Sequence, residues 1–280
     1  MNDAFNRRRF ITAAGVFLSL NPRVGFSAPN ATHPIDIKLG VASYSLRKLS
    51  RAQAIAALKE LKTPYLNIKE FHLLYTSTPA ELEAGRKEFE SAGLQIAGGG
   101  TISLREDTDS DIRKYFEYAK RSGMPLMVIA PTQQTMPRIE RFVKEYNIKA
   151  AIHNHGPEDK FFPAPQDALK VVRNMDPRVG LCIDVGHTAR TGVDVVQSIA
   201  EAGPRLLDMH IKDLRSLSDK DSQCRVGEGA MPVVAIFKQL KKMKYQGMVN
   251  LEYEIDAENP VPGMIQSFAY MRGVLDGLRG

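Results

Sequence analysis

The sequence predicts a single (β/α)8 TIM barrel, on three observations. Short apolar, β-branched runs recur eight times from Ile37 onward. Each is followed by a longer amphipathic stretch with helical spacing. Eight such pairs fill about 240 residues, the size that one closed barrel takes. A doubly wound open sheet is the competing arrangement. Its first turn carries a GxGxxG fingerprint, and GVASYS in the first run is not one.

The first strand is read in IKLGVASYS (37–45), and Ser50 caps the helical segment 51–62. YLNIKEF (65–71) is the second strand. Thr78-Pro79 opens the helix 79–92, with proline at its first position, and Gly93 stops it. The third strand, LQIAGG (94–99), runs into Gly98-Gly99-Gly100. This is read as a strand-end turn, since it lacks the Lys-Ser/Thr ending of a phosphate-binding loop. Helical spacing returns over 109–121. The fourth strand is LMVIA (126–130) with helix 134–145, and the fifth is KAAIH (149–153) with helix 165–174. VGLCID (179–184) is followed by helix 192–202, which Gly203 ends. LLDMHI (206–211) is followed by helix 231–242, whose KKMK end reads as solvated. MVNLEYE (248–254) precedes the last helix, 262–277. No linker or low-complexity tract interrupts the series, so residues 36–280 read as one barrel domain.

Residues 1–28 read differently. Arg7, Arg8 and Arg9 precede a short apolar run from Phe10 to Leu20, and GFSAPN offers small residues at an exit. This is the layout of an export signal, and the paired arginines before Phe-Ile resemble a twin-arginine signal peptide. The expected location is then the bacterial periplasm; an uncleaved anchor or a disordered tail is the alternative. Loss of residues 1–28 removes four arginines and one aspartate, and the formal charge falls from +6 to +3. The remaining domain has no global bias towards nucleic acid. Nor does it hold an apolar stretch of the roughly 20 residues that span a bilayer. Cys182 and Cys224 could pair in an oxidising compartment or stay as free, partly buried thiols.

In such a barrel the C-terminal ends of the strands and the loops after them form the active site. Five of the six histidines fall there: His72 after strand 2, His153 and His155 at the end of strand 5, His187 after strand 6 and His210 late in strand 7. Only His33 lies elsewhere. Asp184 ends strand 6, Glu252 and Glu254 end strand 8, Glu70 is near the end of strand 2, and Glu158 follows strand 5. Side chains two apart share a strand face, which pairs His153 with His155, His210 with Lys212, Glu252 with Glu254 and Glu70 with His72. Imidazole and carboxylate ligands converging from separate strands suit a divalent cation. Four consecutive strand ends each offer one such group: His153, Asp184, His210 and Glu252. Buried histidines with satisfied hydrogen bonds, and a capping role for Asp184, are the bland alternatives. Lys212 reads equally as neutralising a buried carboxylate or binding a substrate oxygen. Lys69 reads as a substrate contact or a surface lysine, and Asp208 as structural.

IDVGHTAR, DMHIKDL, RVGEG and GMVNLEYE, with LGVASYSLR and NIKEFHL before them, resemble the sugar phosphate isomerase/epimerase superfamily. These are the xylose-isomerase-like TIM barrels, related to endonuclease IV. The resemblance covers nearly all of residues 36–277 in order. It implies a divalent metal, most often Mn²⁺, with Zn²⁺, Co²⁺ and Mg²⁺ as alternatives. The family's ligands are a Glu after strand 5, an Asp after strand 6, a His on strand 7 and a Glu on strand 8. Asp184, His210 and Glu252 match in type. His187 and Arg225 fall where relatives contact substrate. The departure is at strand 5, where IHNH places His153 at the glutamate position. His153 then acts as a ligand and His155 as substrate contact or proton carrier, or the reverse.

The resemblance implies an isomerase or epimerase of a sugar or sugar-like carbonyl compound, working through an enediolate next to a metal-bound carbonyl. Glu252 or a histidine of the 153/155 pair is the base, with His187, Arg225, Lys212, Lys69, His72 and Glu158 as candidate substrate contacts. Without the strand-5 glutamate a symmetric two-carboxylate epimerisation loses one base. A lyase or dehydratase that eliminates from the same intermediate is therefore the competing reading. An endonuclease IV-like hydrolase would need more metal ligands than the chain places, and a non-catalytic sugar-binding barrel is a further reading. The expected partner is a small carbohydrate, with neither nucleic acid nor stable membrane insertion of the mature domain; a homo-oligomer is compatible with the chain.

Overall fold

The computed structural model describes residues 37–279; the proposed signal peptide (1–28) and His33 lie outside the described residues. Eight parallel strands close into a barrel: β1 (Lys38–Ala42), β2 (Tyr65–Ile68), β3 (Gln95–Leu104), β4 (Leu126–Pro131), β5 (Lys149–His153), β6 (Val179–Asp184), β7 (Leu206–Ile211) and β10 (Met248–Leu251). Chain order is kept around the ring, and β10 closes it against β1. Between β7 and β10 lies a small antiparallel hairpin, β8 (Asp213–Leu214) and β9 (Gln223–Cys224). The sequence reading did not anticipate it, because two-residue strands leave no periodic trace.

The helices are α1 (Arg51–Glu60), α2 (Pro79–Ser91), α3 (Asp109–Arg121), α4 (Met136–Tyr146), α5 (Pro165–Val172), α6 (Val185–Arg190), α7 (Val195–Ala202), α8 (Val233–Lys242) and α9 (Val261–Gly277). Ser50 and Thr78 cap α1 and α2 as expected. Each accepts from the backbone three residues on, and the Gln53 and Glu81 side chains reciprocate. The short helix α6 follows β6 directly and was not predicted. Apolar faces of the helices pack against the outside of the strands, with Phe116, Phe142, Phe237 and Phe268 fully buried there. Burial of one such side chain contributes roughly 1.5–3 kcal/mol. A second, smaller cluster of Leu126, Val128, Ala151 and Cys182 is separate from it. Among the described residues no helix is long and apolar enough to cross a membrane.

Two expectations need correction. Gly98-Gly99-Gly100 is not a turn, since β3 runs through all three to Leu104. The register with β4 slips between Gly99 and Ile102, and a Cβ at Gly100, where φ is +129°, would lie 2.1 Å from the Val128 carbonyl oxygen. Glycine is what lets the neighbouring backbones come this close. The second strand stops at Ile68, and the His72 amide turns back to the Lys69 carbonyl at 3.0 Å. Residues 69–72 are thus a turn, and the strand-face pairing of Glu70 with His72 does not hold.

Candidate active site

Every second residue of a strand faces the same side, and the inward side changes character along β5, β6 and β7. Ala151 and Cys182 belong to the small apolar cluster, whereas His153 and Asp184, two residues on, end their strands. The register places Asp184 beside His210, and Glu252 follows directly on β10. Parallel strands carry their C-terminal ends to one rim, so residues a hundred positions apart meet.

They meet closely. His153 Nε2 is 3.0 Å from His210 Nδ1 and 3.7 Å from Asp184 Oδ2, and His210 Nδ1 is 3.3 Å from Glu252 Oε2. One donor atom from each of the four lies within 4.8 Å of the other three, and all four residues are buried. Asp184 divides its oxygens. Oδ1 accepts from the His187 amide at 2.7 Å and caps α6, while Oδ2 turns to the cluster and is ion-paired with Lys212. Asp184 therefore caps α6 with one oxygen and presents the other to the cluster. Lys212 enters from beyond β7, its Nζ 3.1 Å from Asp184 Oδ2, 2.9 Å from Glu252 Oε2 and 2.5 Å from Glu254 Oε2.

The electrostatics follow from burial without water. Desolvation pushes the Asp184 carboxyl up against the pull of Lys212. For Glu252 desolvation is outweighed by Lys212 and His210, which hold its carboxyl well below the ordinary range. The two share Lys212. Burial, with His155 and His210 nearby, keeps His153 neutral, whereas Glu252 overcomes burial and raises His210. A buried anion pair needs positive charge close by. Here the Lys212 ammonium supplies it. Two imidazoles and two carboxylates, with one donor atom of each turned to a common centre, are a donor set that fits a divalent cation. The Cys182 thiol also lies within reach of His153 and His210. Burial and three surrounding carboxylates raise it well above its ordinary range, so it stays a thiol and the oxygen donors are the better ligands.

One family description fits this arrangement: the xylose isomerase-like TIM barrel model matches residues 53–274. The chain belongs to that family. A curated relative, the inosose dehydratase of Mesomycoplasma hyopneumoniae (strain 7448), is 24% identical over 51% of this chain and 53% of its own. The chain spans about half, or less, of the length of the curated relatives it matches. Among solved structures, the apo form of 3-keto-D-glucoside 4-epimerase from E. coli superposes with a TM-score of 0.68 at 17% identity, covering 85% of this chain and 100% of that one. The IOLI protein with a bound zinc atom gives 0.69 at 16% identity, covering 86% and 99%. These likenesses show a common fold; their reactions are their own.

Within this xylose isomerase-like barrel the sequence candidates separate. His153, Asp184, His210 and Glu252 come together, with Lys212 among them. His155 follows the end of β5, its ring 4.4 Å from that of His153 and its Nδ1 3.2 Å from Asp159 Oδ2. His155, Glu158, His187, Lys212 and Glu254 line a cavity of about 530 Å³. Three candidates are placed elsewhere. His72 is buried against Ser43, with Nδ1 3.1 Å from the hydroxyl. Lys69 lies over the Tyr44 ring at 5.2 Å. Arg225 donates to Glu228 and Gln266 and borders a different cavity beside Asp256.

Three supports of the site have no signal in the sequence alone. Asn154 accepts from the Asp184 amide and donates to Thr188, which ties the end of β5 to α6. Gln223 of β9 brackets the Glu252–Glu254 segment, donating to the Glu252 carbonyl and accepting from the Glu254 amide, each at 2.8 Å. Arg190 sits one turn after His187. Its spacing was readable, but only once α6 is known to be a helix. Asp208, read as structural, is held by Asn67 and Asn250, and burial pushes it up to about 6.

The buried histidines set the sign of the acid response. Burial lowers His72, His153 and His155, and it brings His187 to about 4, with Lys212 adding to the effect. These side chains are neutral in the fold and take up protons near 6.5 when unfolded. The stability they permit is full above about 6.5 and is lost as pH falls from there towards 4. Asp184, Asp208 and His210, all raised, oppose this over their own ranges, but the four lowered histidines outnumber them. The unfolding midpoint of the metal-free protein should therefore drop as pH is lowered through that window. A flat thermal-unfolding curve between those limits would mean that the histidines are solvated.

Proposed function

We propose that the protein removes a proton from the carbon next to the carbonyl of a neutral, sugar-like ketone, as a divalent-metal-dependent isomerase or epimerase. The observation that carries this reading is the meeting of His153, Asp184, His210 and Glu252 beside an open cavity. A divalent cation held by these four would polarise the carbonyl and an adjacent hydroxyl and so acidify the carbon between them. Glu252 is the base. Its contacts to His210 and Lys212 fall on Oε2, which leaves Oε1 to take the proton. His155 and His187 face the same cavity and can hold substrate hydroxyls.

The charge balance of the wall supports an uncharged substrate. Arg190, Lys212 and Lys220 are matched by Glu158, Asp221 and Glu254. A divalent cation would cancel Asp184 and Glu252, and no surplus positive charge is left for a phosphate. Dehydration is the second reading, favoured by the neutral imidazole of His153 where a second carboxylate base would stand, and by the likeness to an inosose dehydratase. The test is incubation of metal-free and Mn²⁺-loaded protein with unphosphorylated keto-sugars and inososes in deuterated water. Deuterium uptake at unchanged carbon skeleton supports the isomerase, and loss of one water supports the dehydratase. Absence of both, or turnover unaffected by chelation, overturns the proposal.

A further inference from the structure

We propose that Arg190 is a positioning residue, which, anchored by Glu158, fixes His187 as the neutral tautomer that carries its proton on Nε2 and offers it to a substrate oxygen. Arg190 Nη1 is 3.0 Å from His187 Nδ1, and Arg190 Nη2 pairs with Glu158. A guanidinium has five N–H donors and no acceptor. A hydrogen bond between the two is possible only if His187 Nδ1 is an unprotonated acceptor, and the neutral ring then has its one proton on Nε2. No other protein group among the described residues bonds to Nε2, and the ring lines the cavity next to the four-residue cluster.

The anchor is built for one geometry. The Arg190 side chain is only 6% exposed, so its planar fork has few alternative partners. Gly156, at φ +82°, closes over the cluster. A Cβ there would lie 3.3 or 3.4 Å from Arg190 Nη1, Glu158 Oε2 and His187 Nδ1 together. Glu158 is the residue that orients Arg190, joining the loop after β5 to the end of α6. The ligand this favours is an oxygen with a free lone pair, a carbonyl or hydroxyl, on the neutral polyol proposed above. The role of His187 in turnover rests on that reading; its tautomer does not.

Nitrogen-15 NMR on the metal-free, full-length protein tests this, with the His187 signals assigned by their loss in His187→Gln. The expected wild-type spectrum shows Nδ1 unprotonated and Nε2 protonated. Arg190→Met should release the ring to average between tautomers, and Arg190→Lys, which also only donates, should restore most of the wild-type pattern. With a turned-over ketone, Arg190→Met should lower kcat/KM by roughly 10–100-fold, as loss of an orienting partner does, with a rise in KM, and Arg190→Lys should recover part of it. A wild-type proton on Nδ1, or an Arg190→Met spectrum identical to wild type, overturns the inference. If Arg190→Met does not fold, the wild-type and Arg190→Lys spectra decide. If no ketone is turned over, the functional proposal falls and the tautomer result still stands.

Discussion

Glu252→Gln should lower turnover by roughly 10²–10⁴-fold, the range a positioned general base supplies. Glutamine keeps the size and one oxygen of the side chain but cannot accept the proton. The fold should survive the change. Lys212 keeps Asp184 and Glu254 as partners, and the Gln223 contact to residue 252 is to its backbone. The direct measurement is exchange of the substrate hydrogen next to the carbonyl with deuterated solvent, with metal content determined on the same sample. Exchange at the wild-type rate in a metal-loaded Glu252→Gln protein would remove Glu252 from the role of base. His153 would then be the next group to change.

Lys212→Met should destabilise the metal-free protein by about 3–5 kcal/mol at neutral pH, the usual consequence of removing one partner from buried charges. The ammonium touches three carboxylates at 3.1 Å or less, two of them buried, and no other lysine or arginine is paired with Asp184 or Glu252 among the described residues. For a domain of this size the loss corresponds to a fall of roughly 10 °C in the unfolding midpoint. Two dependences identify the cause. Mn²⁺ should recover much of the loss in Lys212→Met, because a cation in the cluster replaces the missing charge. Acid should shrink the loss as well, because the exposed penalty vanishes when the carboxylates are protonated. A metal-free variant that unfolds within a degree of wild type would show that solvent already neutralises the site.

All eight barrel strands and eight of the helices were legible, because each spans several periods of an apolar pattern and the caps at Ser50 and Thr78 are local chemistry. The hairpin β8–β9 and the single-turn-and-a-half α6 were not, since neither is long enough to show a period. Gly98-Gly99-Gly100 misled the reading because glycine marks a turn and a close strand approach with the same letters. In the site, His153, Asp184, His210 and Glu252 could be named from their positions at strand ends. Between His153 and His155 the sequence could not choose, since period-two alternation applies only while a strand lasts, and β5 ends at His153. Arg225 follows the family motif, yet it donates to Glu228 and Gln266, away from the cluster.

The sequence by itself determined the closed ring and the rim on which its chemistry would lie, because both depend on patterns local to each strand–helix unit. Only the tertiary structure decided what each charged group faces. It placed the Lys212 ammonium between Asp184 and Glu252 and paired Glu158 with Arg190. Those pairings join residues some 30 to 40 positions apart. Their strength depends on distance and exclusion of water, which the linear order of residues does not contain.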